Sequence, residues 1–109
     1  MKNGLEIDSA GTKRWFKDDK LHREDGHAVE NATGTKYWYI TGKLHREDGP
    51  AIEFSDGTNQ WYLNDKRHRI DGPAIHWYND YKEWYYQGKP LKCSSQEEFI
   101  RLINLKLFW

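Results

Sequence analysis

Apolar and aromatic positions fall in short alternating runs such as Lys36-Tyr37-Trp38-Tyr39-Ile40 and Ala51-Ile52-Glu53-Phe54. Such runs suit β-strands, because β-branched and aromatic side chains pack well on a pleated surface. The pattern returns at a fixed interval: Trp15, Trp38, Trp61 and Trp84 are separated by steps of 23 residues. A constant step of that size marks a repeat array. Two kinds of turn keep the same step. The shorter is Asp56-Gly57-Thr58, matched by Gly34-Thr35 and Gly11-Thr12, where glycine supplies the positive φ of a hairpin turn. The longer is Leu21-His22-Arg23-Glu24-Asp25-Gly26-His27-Ala28, which returns as Leu44-His45-Arg46-Glu47-Asp48-Gly49-Pro50-Ala51 and as Arg67-His68-Arg69-Ile70-Asp71-Gly72-Pro73-Ala74.

Short loops between consecutive strands give an antiparallel meander. The fold class predicted is all-β with one C-terminal helix, a thin single-layer array of repeated hairpins. Residues 1–93 form the array and 94–109 a capping helix of the same domain. Strand alternation puts Trp38 and Ile40 on one side with Trp61, Leu63, Trp84 and Tyr86, and Tyr39, Tyr62 and Tyr85 on the other. The tryptophan side is the expected core. Val29, Ile52, Phe54, Ile75 and Trp77 are expected to join it, leaving Glu30, Glu53 and His76 outward. Leu5 to Ser9 reads as a half repeat where pairing begins. Ser95-Gln96-Glu97-Glu98 opens a capping box, and Phe99, Ile100, Leu102, Ile103, Leu105 and Leu107 follow at helical spacing. This helix is expected to lie over the last strands and seal the tryptophan face, with Phe108 and Trp109 as its anchors.

Composition narrows the function. Charged residues are 31% and mean hydropathy is −1.06, yet aromatics are 16%, too many for a disordered polar chain. Lys and Arg balance Asp and Glu, giving a formal net charge of zero, so duplex nucleic acid is not expected as a partner. Cys93 stands alone and forms no internal disulfide. The N-terminus carries no signal-like apolar run and no stretch approaches a membrane span, which points to the cytoplasm.

His22, His45 and His68, beside Arg23, Arg46 and Arg69, with Asp25, Asp48 and Asp71 two residues after the arginines, are the constellation that looks chemical. Its repetition argues against catalysis, which needs one convergent acid, base and nucleophile. No catalytic residue, metal ligand or cofactor is assigned. Asp is expected to cap the turn while Arg and His bridge neighbouring loops. Stacked arginines beside Asp-Gly turns could also hold phosphate or carboxylate groups, although Glu24 and Glu47 offset their potential. Tyr39, Tyr62, Tyr85 and Tyr78 offer a rigid amphipathic patch of the kind protein interfaces favour.

The period, the Asp-Gly-Thr turns and segments such as Tyr37-Trp38 followed by Gly42-Lys43 and His45 together resemble MORN repeats, in the variant form of bacterial and bacteriophage proteins with a recurring HREDGPA loop. The resemblance covers the chain to Lys89. Arg46-Glu47-Asp48 makes a longer loop than the usual unit, and Asp19 and Asp65 stand where Gly42 and Gly88 supply the turn glycine. It implies a sheet array used for scaffolding or binding, without catalysis. A bacteriophage origin would place the chain in host cytoplasm as an inhibitor of a host defence protein. The leading expectation is a non-catalytic protein-binding module. A small-anion or nucleotide sponge is the alternative, and a structural assembly module is the third, its open first strand able to pair with another copy.

Overall fold

In the computed structural model, which describes residues 1–105, the chain is an open antiparallel meander with one C-terminal helix. Its strands are β1 (Gly4–Ile7), β2 (Lys13–Lys17), β3 (Lys20–Leu21), β4 (Val29–Glu30), β5 (Lys36–Tyr37), β6 (Tyr39–Ile40), β7 (Lys43–Leu44), β8 (Ile52–Glu53), β9 (Asn59–Gln60), β10 (Tyr62–Leu63), β11 (Lys66–Arg67), β12 (Ile75–His76), β13 (Lys82–Tyr86) and β14 (Lys89–Leu91). The helix α1 spans Gln96–Leu105. One long sheet runs β1-β2-β4-β5-β8-β9-β12-β13-β14, with β3 on β2, while β6-β7 and β10-β11 form separate hairpin arms. A compact chain of this length would have a radius of gyration of about 13 Å. The observed value is 15.6 Å, with extents of 47 × 29 × 18 Å, as a thin array requires.

Each tryptophan marks where a strand changes partners. Tyr37 pairs with Ile52 and Tyr39 with Leu44, so the whole segment from His45 to Ala51 stands opposite Trp38. The Trp38 N–H donates to the Ala51 carbonyl at 2.7 Å, and its carbonyl accepts from the His45 N–H at 3.1 Å. The His-Arg-x-Asp-Gly loop is therefore a large bulge in the strand facing the tryptophan. Trp15 and Trp61 repeat these bonds with Ala28 and His22, and with Ala74 and His68.

The arms end in two-residue turns whose central residues both have positive φ: Asp18-Asp19, Thr41-Gly42, Asn64-Asp65 and Gln87-Gly88. That pair of left-handed conformations matches the twist of a tight hairpin. Asp65 holds its strained φ of 67° while its carboxylate accepts from the Leu44 N–H at 2.7 Å, tying the tip to the preceding repeat.

The face assignment from strand alternation is corrected by the register. Ile52 pairs with Tyr37 and Gln60, Val29 with Tyr37, and Ile75 with Gln60 and Glu83, so these residues share one face. Phe54 and Trp77 follow on that face by alternation, and the Trp77 indole donates to Glu83 at 2.6 Å. Trp38 belongs to the other face, with Glu53, which lies 3.7 Å from the Arg46 guanidinium stacked on the Trp38 ring. Glu30 is there too, bound by His27, whose ring meets Trp15 and Trp38 edge-on. Thus Val29, Ile52, Phe54, Ile75 and Trp77 do not join the tryptophan face, and Glu30, Glu53 and His76, whose partner Lys82 shares a face with Trp84, do not lie opposite it.

Ala28, Ala51, Ala74, Val29, Ile52 and Ile75 are buried, whereas Trp15, Trp38 and Trp61 are only half-buried. Small residues at the bulge mouth let strands close up, and the tryptophans are covered by arginines rather than by a second layer. Thr35 and Thr58 are buried and accept from the backbone N–H of Ser55 and Tyr78, linking successive short turns. Trp84 is the exception, at 6% exposure: its indole donates to Gln96 of α1 at 2.8 Å, while Gln96 donates to the Ile70 carbonyl at 2.7 Å. The helix thus takes the place of a further loop. Ser95 caps it by accepting from the Glu98 N–H, Glu98 reaches back to the Ser94 N–H, and Phe99 is fully buried. Leu107, Phe108 and Trp109 lie outside the described residues.

Candidate functional site: the loop ladder and its grooves

Within each loop the arginine folds back onto its own repeat. Arg23, Arg46 and Arg69 lie over Trp15, Trp38 and Trp61 at 4.0, 3.9 and 3.8 Å from the ring centroids. Their Nε groups donate to Asp25, Asp48 and Asp71 at 3.1, 3.0 and 2.8 Å. Their Nη1 groups donate to the carbonyls of His27, Pro50 and Pro73 at 3.2, 3.1 and 3.2 Å. A planar fork stacked on an aromatic ring and bonded at its edges is a geometry that lysine cannot copy. The Arg69 hydrogen bond holds the Asp71 carboxyl below its ordinary range.

The histidines do the bridging expected of both residues. Nδ1 of His22, His45 and His68 accepts from the backbone N–H of Thr41, Asn64 and Gln87 at 2.8, 3.0 and 2.8 Å, each in the turn one repeat further on. An accepting Nδ1 requires the neutral ring with its proton on Nε2. Burial lowers the His68 pKa, in keeping with that state. His22 Nε2 is buried without a hydrogen bond; Glu24 Oε1 stands 3.6 Å away. The arginine side chains do not bridge loops, since each is bound inside its own.

Between successive loops lie open grooves. The first, about 700 Å³, has Trp38 and Ile40 beside Arg23 and Arg46, with Glu24, Asp25, Glu47 and Asp48 on its walls. The second, about 510 Å³, has Trp61, Leu63 and Ile70, with Glu47, Asp48 and Asp71. Loop 46–48 lines both. Two arginines face four carboxylates in the first groove and three in the second, and the arginine charge is already paired. Asp25, Asp48 and Asp71 are the partners of those arginines, so the net negative charge of the rim comes from Glu24, which is 78% exposed, and from exposed Glu47.

The expected tyrosine patch is divided. Tyr39 and Tyr62 are half-buried in the hairpin arms and Tyr85 in β13, and Arg67 lies 5.6 Å from the Tyr62 ring and 5.4 Å from that of Tyr85. The Tyr62 hydroxyl donates to buried Gln60. Burial, with a smaller contribution from Asp65, raises the Tyr39 phenol. Tyr78, 67% exposed, lies instead in the short turn between β12 and β13. Trp38, Ile40, Trp61, Leu63 and Glu47 were not among the candidate binding residues. Their sequence signal was the constant eight-residue spacing from tryptophan to arginine, which positions each stacked pair at a loop mouth.

Among the described residues, no group of three His, Cys, Asp or Glu could hold a metal ion, and no helix is long and apolar enough to cross a membrane. Burial and Glu98 push the Cys93 thiol up, which disfavours the reactive thiolate. Comparison with protein-family models, curated proteins and solved structures finds no match.

Proposed function

We propose that this chain is a non-catalytic binding protein of MORN-like repeat type that holds a protein partner against its loop face. The observation that carries this reading is the pair of consecutive grooves, each with a tryptophan and an aliphatic side chain between exposed polar loop tips. An apolar floor inside a polar rim is the arrangement of a protein interface. The loop polar groups that could perform chemistry are engaged in holding the array: each histidine accepts a backbone N–H and each arginine is stacked and hydrogen-bonded. The acidic rim favours a protein surface over a phosphate-bearing ligand. Attachment to a host protein, and its inhibition, would use this same face.

The test compares wild type with Glu47→Lys, which alters both grooves, and with Tyr78→Ala, which alters neither. A protein captured by wild type and by Tyr78→Ala but released by Glu47→Lys is the expected result. Capture that survives Glu47→Lys and is lost in Tyr78→Ala would place binding elsewhere. A nucleotide that raises the melting temperature of wild type, but not of Arg46→Ala, would favour the sponge.

A further inference from the structure

We infer that the occupant of these grooves is a cationic segment of a partner protein in polyproline II conformation, with lysine or arginine at every third residue. This rests on the loop face being the binding face. A lysine or arginine stem can lie against Trp38 and Ile40, or against Trp61 and Leu63, while its charged head turns to Glu24 or Glu47, the rim carboxylates that no arginine binds. Glu47 lines both grooves, so this one carboxylate faces both neighbouring positions, whereas Asp48 is held by Arg46.

Each repeat adds two strands to the long sheet, β4 with β5 and then β8 with β9. At the usual separation of neighbouring strands, equivalent loops stand about 10 Å apart. A polyproline II helix returns to the same side every third residue, after about 9.3 Å. A β-strand returns to one side after about 6.7 Å and again after about 13 Å, missing the step both ways. Aromatic-lined grooves are also the surfaces on which polyproline II segments dock, since the preformed helix has little conformational entropy left to lose.

The experiment uses the whole chain and a fluorescent peptide of Lys-Pro-Pro units, read by anisotropy at low and physiological salt. Comparison peptides are a shuffled sequence of the same composition, a Glu-Pro-Pro peptide, and an alanine-rich helix with lysine at every seventh residue. The Lys-Pro-Pro peptide should bind roughly tenfold tighter than the shuffled one, and roughly tenfold tighter to wild type than to Glu47→Lys, with affinity falling as salt rises. Circular dichroism of Glu47→Lys confirms that the fold is kept. Equal binding of the shuffled or helical peptide, or tighter binding of Glu-Pro-Pro, overturns the inference. So does self-association of the protein alone that Glu47→Lys abolishes, because a second copy would then fill the grooves. If Lys-Pro-Pro fails while partner capture still depends on Glu47, the inference falls and the loop-face reading stands. Partner capture indifferent to Glu47→Lys removes both.

Discussion

Replacing Gly72 by alanine tests the stacked arginine more directly than removing the arginine itself. A methyl carbon at Gly72 would stand 2.6 Å from Arg69 Cζ and 2.8 Å from its Nη1, so the guanidinium must shift from its place on the Trp61 ring. This glycine is required for space, because the guanidinium lies between it and the indole. The arginine can move, so the loss is capped by the interactions it abandons. A half-buried cation–π stack is worth about 1 kcal/mol, and the charged hydrogen bond to the Pro73 carbonyl about 1.5 kcal/mol. The pair with Asp71 adds at most about 1 kcal/mol, since that carboxylate is 86% exposed. Arg69→Ala should thus lose about 2–4 kcal/mol, and Gly72→Ala slightly less, because alanine lowers the entropy of the unfolded chain by about 0.4–1 kcal/mol. The double variant should be no less stable than Arg69→Ala alone. At Gly26 the nearest Arg23 atoms would be at 3.5 Å, ordinary contact, so Gly26→Ala should be neutral or stabilising. Urea midpoints of the five proteins form the assay. Additive losses in the double variant, or a Gly26→Ala loss equal to that of Gly72→Ala, would refute the sandwich.

Phe99→Ala removes a fully buried ring from a ten-residue helix that could not persist alone in water, and should cost about 3–5 kcal/mol; a loss below about 1 kcal/mol would show that the helix does not cap the array. Thr58→Val leaves the Tyr78 N–H without its acceptor and should cost about 1–2 kcal/mol, whereas Thr58→Ser should be nearly neutral, as thermal melts of both can check. His68 has its pKa lowered by burial, so the unfolded chain takes up its proton first as pH falls below the ordinary value of 6.5. Its contribution is full above that value and is lost as pH falls through the folded pKa. Imidazole shifts in NMR should give a His68 midpoint below that of a model peptide, and a midpoint at or above it would contradict the neutral, accepting ring.

Local signals in the chain fixed what depends on local geometry. The step between tryptophans, the positive-φ glycines Gly11, Gly34 and Gly57 of the short turns, and the Ser95 cap each require particular residues at particular places whatever surrounds them. The meander and its closing helix followed from those signals. Faces did not follow, because side chains alternate with period two and one residue of register moves every one of them to the other side. With the segment from His45 to Ala51 placed opposite Trp38, alternation on the returning strand cannot be counted from the tryptophan, and Ile52 lands beside Tyr37. The same limit hid the grooves. Trp38 reads as core from its own sequence, and only the return of Arg46 across its ring, with the Glu24 and Glu47 loops on either side, makes it the floor of an open site. The stack of Arg46 on Trp38 is made within one repeat, but the groove is closed by the loop of the repeat before it, so pairing between repeats decides the site and no single segment carries the information.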